Sequence, residues 1–304
     1  LFPALVQDRY SENFSLGLVT TGGSLGLLFA PSVPLIIYGV ITETPIFDMF
    51  IAGALPGVLM VIVLCTFSGV VGARAKTDRS PLRWKAMGEA LWEAKWEIPL
   101  PFVVLGGIYG GVFAVSEAAA VTAFWALIVE VLIYREISLA ELKQVIRESM
   151  VMVGGILIIM AAAMASTNYF IDIDVPSMIF DLIQQFVSTK ILFLILLNIF
   201  LFGLGMILDI FSALVVVVPL ITPIAQEYGI NTIHLGIIFL ANMQIGYLTP
   251  PLGMGLFISS YRFDKGILKI TVACLPFIAM LIGSVLIITY WPDLSLFLVR
   301  AMGK

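Results

Sequence analysis

The chain has 304 residues, of which 61% are hydrophobic and 12% are charged. An average soluble domain has about 25% charged residues, so the composition excludes an ordinary soluble fold and predicts an all-α protein that crosses a membrane. At roughly 20 apolar residues per crossing there is room for about seven to nine crossings. The net charge of −4, without a basic patch, argues against a nucleic-acid partner. Two cysteines and one histidine are too few for a metal cluster.

The apolar stretches begin with the first residues. The chain starts at Leu1, and its first ten residues resemble the end of an apolar segment without the features of a signal peptide. We therefore expect that the N-terminal part of a longer protein precedes them. Short polar stretches separate the apolar runs, which predicts membrane segments joined by short connections. The runs cover residues 14–42, 46–73, 98–134, 150–170, 190–226, 234–263 and 267–291.

The longest polar stretch, residues 74–97, carries six lysines and arginines. Its tryptophans, Trp84, Trp92 and Trp96, are eight and four residues apart, which places them on one face of a helix. We interpret the stretch as an amphipathic helix that lies in the membrane interface. A plain connecting helix is the alternative.

Several apolar runs are too long or too broken for one simple helix. Runs 14–42 and 234–263 are interrupted at residues 26–31 and 246–251, where glycines and prolines concentrate. Run 190–226 is longer than a single crossing requires. Glycine and proline in the middle of a membrane segment free backbone groups, which protein, water or an ion must satisfy. The alternative for a single interruption is a proline kink in a scaffold helix.

The chain contains an internal repeat. Three pairs of prolines align at one constant shift along the sequence, although the chain has only 15 prolines, so we predict two related halves. We assign residues 1–73 to the C-terminal part of the first repeat, 74–97 to the interface helix and 98–304 to the second repeat. This repeat shift aligns Pro3 with Pro223, Gly26 with Gly246, Pro31 with Pro251, Pro56 with Pro276, and Met60 with Met280.

The charge pattern predicts the topology. Lysine and arginine concentrate in residues 74–95, 135–147 and 262–269, which places these stretches on the inside. The second half then crosses the membrane five times, provided that run 98–134 crosses twice and run 190–226 dips in and returns. Because five is an odd number, the two copies of the repeat have opposite orientations in the membrane. We therefore predict inverted repeats, each with a re-entrant helical hairpin and a broken transmembrane helix, as in secondary transporters.

A broken helix supplies two kinds of ligand. The end of its first half leaves carbonyl groups free, which suit a bare cation such as Na⁺, and the start of its second half leaves N–H groups free, which suit a carboxylate. Two interruptions at equivalent positions of inverted repeats favour this functional interpretation over a structural kink.

Several stretches make the sequence recognisable. It resembles the large membrane subunit of tripartite ATP-independent periplasmic (TRAP) transporters, the DctM-like family, along essentially its whole length. The resemblance implies an elevator-type Na⁺/organic-acid symporter of the ion-transporter superfamily, which works with a small four-helix membrane subunit (DctQ-like) and a periplasmic substrate-binding protein (DctP-like) at a bacterial inner membrane. The stretches are SLGLLFAPSVPLIIYG (24–39), GGIYGGVFAVSEAAAVTA (106–123), the segment from Pro219 to Pro223 with Gly229, and IGYLTPPLGMGLF (245–257).

The resemblance also implies two sodium sites, built mostly from main-chain carbonyls. Two departures from the family pattern make the sites chemically unequal, because Ala30 replaces a proline and Phe29 stands where the second repeat has Thr249. The first site therefore depends on carbonyls alone. Its residues are Gly26, Phe29 and Pro31, and those of the second site are Gly205, Gly246, Thr249 and Leu252.

Four polar residues are candidates for substrate binding. An intramembrane carboxylate such as Asp209 is functional by default, and the alternative is a tip residue held by neighbouring N–H groups. Ser32 is predicted to bond a substrate carboxylate, to cap a helix, or both. Asn242 and Gln244 either line the cavity or bond the neighbouring hairpin. Asn198, by contrast, is predicted to make an interhelical hydrogen bond.

The favoured hypothesis is an ion-coupled carrier without enzymatic activity, whose mobile core holds both tips. Its scaffold would contain residues 46–73, 74–97, 150–170 and 267–291. The alternatives are a Na⁺/carboxylate symporter that needs no binding protein, an intramembrane enzyme, and a membrane scaffold without transport. An enzyme would need more ionisable groups at mid-membrane than Asp209 and one histidine.

Overall fold

A computed structural model of the chain describes residues 1–74, 84–173, 175–251 and 253–302. Every regular element within these residues is helical, which confirms the all-α prediction for them. The helices are α1 (Phe2–Gln7), α2 (Glu12–Ser24), a 3-10 turn (Leu25–Leu28), α3 (Val33–Ile41), α4 (Ile46–Arg74), α5 (Trp84–Glu93), α6 (Pro99–Tyr109), α7 (Val115–Leu127), a π-helical turn (Ile128–Ile133), α8 (Leu139–Asp172), α9 (Val175–Gln184), α10 (Lys190–Ile207), α11 (Ile210–Glu227), α12 (Thr232–Gly246), α13 (Met254–Phe263), α14 (Ile267–Tyr290) and α15 (Asp293–Met302).

Six helical segments of the described residues are long and apolar enough to cross a membrane. One of them is formed by α2 and α3 together, and two others are α10 and α11. The chain is therefore a multi-pass membrane protein, as its composition predicts. The six segments are Glu12–Ile41, Ile46–Arg74, Val115–Ile133, Lys190–Ile207, Ile210–Glu227 and Ile267–Tyr290.

Contacts divide the chain into two units, of which the smaller is Arg79–Ile159. Within it, the indole N–H of Trp125 donates a hydrogen bond of 2.8 Å to the carbonyl oxygen of Trp96. Residues 75–83 of the predicted interface helix lie outside the described residues. Residues 84–93 form α5, where Trp84 and Trp92 are exposed. Trp96, predicted on the same helical face, lies in the turns that follow α5.

The larger unit, Leu1–Asp78 with Met160–Lys304, is built around α12. Thirteen of the 15 residues of α12 are buried, because the helix packs against α10, α14, α4, α11 and α3. A helix that is apolar on every face is stable only in such an enclosed position or in lipid. The Asn231 side chain starts this helix by accepting hydrogen bonds from the N–H groups of Ile233 and His234.

Helices α10 and α11 form an antiparallel hairpin. Only Leu208 and Asp209 separate them at one end. At the other end, the Lys190 ammonium donates a hydrogen bond of 2.9 Å to the carbonyl oxygen of Gly229, and the rings of Phe193 and Tyr228 stack with centroids 4.4 Å apart. Asp209 therefore lies at the short tip of the hairpin, at the end opposite to these contacts.

Candidate functional site

The larger unit contains two interrupted helices. The first consists of α2, the 3-10 turn and α3, and the second consists of α12 and α13, with residues 247–253 between them. Peptide bonds Ala30–Pro31 and Pro250–Pro251 are both cis. Each interruption thus lies at the glycines and prolines that the sequence singles out.

Each interruption contains a backbone hydrogen bond at the equivalent position. The N–H of Phe29 donates to the carbonyl oxygen of Gly26 at 3.3 Å, and the N–H of Thr249 donates to the carbonyl oxygen of Gly246 at 3.0 Å. The repeat shift aligns the donor Phe29 with the donor Thr249 and the acceptor Gly26 with the acceptor Gly246. A carbonyl oxygen has two lone pairs, so each glycine carbonyl retains one for a further ligand.

The hairpin tip and the second interruption meet through their backbones. A Cβ atom added to Gly246 would lie 2.5 Å from the Cα atom of Gly205, so only glycine fits at this contact. The Thr249 hydroxyl donates a hydrogen bond of 2.9 Å to the carbonyl oxygen of Ile245, which leaves its lone pairs available to a cation. We call the line along which α10 and α12 meet the seam. Two residues predicted for the second sodium site, Gly205 and Gly246, touch on it, and the third, Thr249, bonds the carbonyl oxygen of Gly246 through its N–H group. The fourth, Leu252, lies outside the described residues.

The first interruption is filled by its own side chains. The Phe29 ring packs over Gly57 of α4, where an added Cβ atom would lie 2.8 Å from the ring. Ser32 is buried, and its hydroxyl donates a hydrogen bond of 2.7 Å to the carbonyl oxygen of Leu27. Although Ser32 precedes α3, its side chain makes no capping hydrogen bond. Ser32 therefore ties the two sides of the interruption together.

Asp209 caps α11. Its Oδ2 atom accepts hydrogen bonds from the N–H groups of Phe211 at 3.0 Å and Ser212 at 3.1 Å, and its Oδ1 atom accepts one from the Ser212 hydroxyl. The residue is half-buried. A carboxylate at a helix N-terminus satisfies orphan N–H groups and is favoured by the helix dipole. The structure thus gives Asp209 the capping role, and substrate binding by the same carboxylate stays a prediction.

The two polar residues of α12 have different surroundings. The Asn242 amide donates hydrogen bonds to Asn198 Oδ1 at 2.8 Å and to the carbonyl oxygen of Ile238 at 2.9 Å, so it bonds the hairpin. Gln244 is fully buried, and neither its Nε2 nor its Oε1 atom has a hydrogen-bond partner. A buried polar atom without a partner costs about 1–3 kcal/mol, which favours a ligand or water at Gln244.

The hydrogen bonds of Asn198 agree with its predicted interhelical role. The sequence does not predict the second residue that donates a hydrogen bond to it. Thr289 of α14 donates a hydrogen bond of 3.1 Å to Asn198 Oδ1. Threonine in an apolar run usually bonds its own helix, so the sequence carries no signal that would single it out. Within the described residues no group of three or more histidine, cysteine or acidic side chains is placed to hold a metal ion.

Comparison with known proteins identifies the family. The family model described as "Tripartite ATP-independent periplasmic transporter, DctM component" matches residues 1–294. The chain is 32% identical to the isethionate TRAP transporter permease protein DctMQ of Oleidesulfovibrio alaskensis, over 97% of this chain and 47% of that protein. It is 34% identical to the C4-dicarboxylate TRAP transporter large permease protein DctM of Pseudomonas aeruginosa, over 98% and 70% respectively. It is 30% identical to the sialic acid large permease protein SiaM of Vibrio cholerae, over 95% and 68%.

The chain thus spans about half of the first relative and about two thirds of the other two. The match covers the hairpin, both interrupted helices and α4 and α14. The resemblance drawn from the sequence is confirmed, and the chain belongs to the DctM component family of TRAP transporters.

Proposed function

We propose that the chain is the large transmembrane subunit of a Na⁺-coupled transporter that imports an organic acid across a bacterial inner membrane. The observation that carries the proposal is the contact of Gly205 with Gly246, one helical turn from the Thr249 hydroxyl. It brings a hairpin tip to an interrupted helix, next to the carbonyl oxygen of Gly246 and the hydroxyl of Thr249, which both keep lone pairs. Hard cations such as Na⁺ prefer oxygen ligands.

Reciprocal packing supports inverted repeats. Gly17 of α2 packs closely against Ala273 and Phe277 of α14, and Gly236 of α12 packs closely against Tyr38 and Met49 of α3 and α4. The repeat shift aligns α4 with α14. It aligns Gly17 with the residue next to Gly236. Each repeat therefore packs its interrupted helix against the long helix of the other repeat, as expected of a pseudo-twofold arrangement.

Two hydrogen bonds also join the two repeats in a reciprocal way. The Thr20 hydroxyl of α2 donates to Ser259 of α13 at 3.0 Å, and the Tyr38 hydroxyl of α3 donates to the carbonyl oxygen of Thr232 of α12 at 2.8 Å. In both pairs the first half of one interrupted helix bonds the second half of the other. This exchange favours one rigid body that contains both interruptions.

The proposed rigid body also includes α4 and α14, which the sequence interpretation placed in the scaffold. Both helices pack directly against the interrupted helices through glycine contacts that leave no room for a methyl group. Close-packed surfaces of this kind do not slide without loss of contacts. We therefore propose that α4 and α14 move with the hairpin and the interrupted helices. Residues 74–97 and 150–170 remain as scaffold in this proposal.

In the proposed cycle, Na⁺ binds first and orders the tips. The second site uses Gly205, Gly246 and Thr249, and the first uses the carbonyls of Gly26, Phe29 and Pro31. Once Na⁺ has ordered these segments, the N-terminal ends of α3 and α13 face the carboxylate of the substrate.

The proposed substrate site is contributed mainly by Asp209, Ser32 and Gln244. Gln244 has the strongest support, since its donor and its acceptor both lack protein partners, and a hydroxylated organic acid offers groups that match both. Asn242 has the weakest support, because its amide already bonds Asn198. The carboxylate of Asp209 retains lone pairs for a substrate hydroxyl while it caps α11.

The proposed partners follow from the family. One relative is named as a DctMQ permease, which supports a small DctQ-like membrane subunit beside this chain. A DctP-like periplasmic protein would deliver the organic acid. Relatives are named for isethionate, C4-dicarboxylates and sialic acid, so the substrate class proposed here is a small organic anion.

Reconstitution of the assembled transporter in liposomes tests the proposal. We expect uptake of a radiolabelled organic acid that requires both an inward Na⁺ gradient and the loaded binding protein. Equal uptake when K⁺ replaces Na⁺ would contradict ion coupling. Uptake without the binding protein would favour a self-sufficient Na⁺/carboxylate symporter. A thermal-shift screen of the cognate binding protein against organic acids identifies which acid to label.

A further inference from the structure

A cluster of buried polar side chains joins α10, α12 and α14. Asn198 Oδ1 accepts hydrogen bonds from Asn242 Nδ2 at 2.8 Å and from the Thr289 hydroxyl at 3.1 Å. Asn198 Nδ2 donates in turn to the carbonyl oxygen of Leu194 at 2.7 Å. All three side chains are buried. We call Asn198, Asn242 and Thr289 the asparagine clamp.

The clamp lies on the same seam as the hairpin tip contact. Asn198 precedes Gly205 by seven residues, or about two helical turns, and Asn242 precedes Gly246 by four residues, or about one turn. Each pair therefore lies on one face of its helix. The earlier residues bond each other and the later residues touch through their backbones, so α10 and α12 run parallel along this seam.

An open groove lies beside the clamp. A cavity of about 200 Å³ lies between α10, α12 and α14, and Asn198, Asn242 and Tyr290 are its polar lining residues. Apolar contacts have no directional preference, so they do not by themselves fix the register of the two helices. The amide hydrogen bonds are directional, and a shift of one helical turn would break the hydrogen bond from Asn242 to Asn198, which joins the two helices.

Thr289 also fixes the end of α14. Its carbonyl oxygen lies 3.3 Å from His234 Nε2, while His234 Nδ1 lies 3.2 Å from the Ser295 hydroxyl. A carbonyl oxygen only accepts hydrogen bonds, so Nε2 carries the proton in this contact. Thr289 thus holds α14 to α10 through its hydroxyl and to α12 through its carbonyl group.

We propose that Asn198 is a positioning residue, which sets the register of the hairpin on α12 and thereby holds Gly205 against Gly246 at the second ion site. Single buried polar residues set register in other helix pairs. The inference rests on the proposed Na⁺ site, because register matters for transport only if the seam binds an ion.

The test is a Na⁺ titration of thermal stability with the assembled transporter in detergent, with choline as the balancing cation. We expect Asn198→Leu to raise the Na⁺ concentration for half-maximal stabilisation about three- to tenfold, the equivalent of one lost hydrogen bond. Thr289→Val removes one of two donors and should give a smaller shift in the same direction. Ser284→Ala is the matched control, since Ser284 is buried in α14 but bonds only its own helix.

A double variant separates positioning from plain stability. Asn198→Leu with Asn242→Leu replaces both amides by apolar groups, which is nearly neutral for folding, so the melting temperature without Na⁺ should recover while the Na⁺ requirement stays raised. Recovery of both quantities would overturn the positioning role. Variants that respond to Na⁺ like the wild type would also overturn it and would leave the ion site standing. A wild type without any Na⁺ response would overturn both proposals.

Discussion

The two interrupted helices share a backbone arrangement and differ in the side chains that fill it. In both, an N–H group bonds the carbonyl oxygen of a glycine three residues earlier. The residue that donates is Phe29 in the first interruption and Thr249 in the second. The phenyl ring packs on Gly57, whereas the threonine hydroxyl bonds Ile245 and keeps lone pairs free.

This difference separates what the backbone supplies from what side chains supply. The three residues proposed for the first site, Gly26, Phe29 and Pro31, would offer a cation only carbonyl oxygens, which no substitution removes directly. The second offers a hydroxyl as well and depends on a glycine contact with the hairpin. We therefore expect the second interruption to be the more sensitive of the two to single substitutions.

The largest effect is expected for Gly246→Ala. The new methyl group would lie 2.5 Å from the Gly205 backbone, and overpacking of this kind costs about 1–3 kcal/mol. We expect a lower melting temperature and loss of Na⁺-dependent uptake, because the hairpin tip is pushed off the seam. Gly203→Ala is the control, since nothing lies within 4 Å of a Cβ atom there. Normal uptake by Gly246→Ala would mean that the contact is unnecessary for transport.

The next effect concerns Asp209, which the hairpin brings to its tip. Asp209→Ala removes the cap of α11 and should lower the free energy of unfolding by about 0.5–2 kcal/mol, with loss of uptake. Asp209→Asn keeps an equally good cap but removes the charge. We expect the asparagine variant to melt like the wild type and still to transport poorly.

The asparagine variant decides between the two roles of Asp209. Initial rates of uptake into liposomes under an inward Na⁺ gradient provide the measurement, and melting temperatures show whether the cap is intact. Wild-type uptake by Asp209→Asn would restrict the residue to capping and remove it from the transport mechanism.

Thr249→Val tests the hydroxyl that distinguishes the second interruption. Valine has nearly the same shape but no hydroxyl, so the cation loses one ligand and the Na⁺ concentration for half-maximal uptake should rise about three- to tenfold. Thr249→Ser keeps the hydroxyl and should remain close to the wild type. Phe29→Leu, at the equivalent position, should lower the melting temperature and leave the Na⁺ dependence unchanged. The same Na⁺ dependence in Thr249→Val and the wild type would remove the hydroxyl from the ion site.

The sequence predicts the membrane class, the all-helical architecture and the family, because each depends on composition or on local patterns. Glycines and prolines mark both interruptions, since proline lacks an N–H group and glycine permits close backbone approach. The repeat shift also predicts which glycine of one half corresponds to which glycine of the other.

The side-chain partners depend on tertiary packing, which single-residue patterns do not encode. The seryl hydroxyl of Ser32 bonds backward to Leu27 instead of capping α3. Asn242 and Gln244 are two residues apart on one helix, yet one bonds the hairpin and the other has no partner. Such differences arise from which helices face α12, and the neighbours of α12 come from several distant parts of the chain.

The smallest effect is expected where the two interrupted helices begin. Both helices start with a side-chain cap, Asn231 for α12 and Ser11 for α2. Helix α2 has in addition the Glu12 carboxylate, which lies 2.7 Å from the Lys265 ammonium and 2.6 Å from the Lys269 ammonium. The paired side chains are 35–42% exposed, and ion pairs that solvent reaches contribute little to stability and weaken as salt rises. The hydrogen bond to Glu12 raises the pKa of Lys265, so its contribution is present at neutral pH and is lost only above the ordinary lysine range.

Glu12→Gln should therefore lower the melting temperature by less than any substitution above, and only at low ionic strength. The exposed carboxylate of Glu43 lies in the connection after α3, outside these pairs, so Glu43→Gln is the control. The measurement is the melting temperature of the assembled transporter in low and high salt at neutral pH. A loss that persists in high salt would show that Glu12 stabilises α2 by something other than charge, and the ion pairs would then not distinguish the starts of the two interrupted helices.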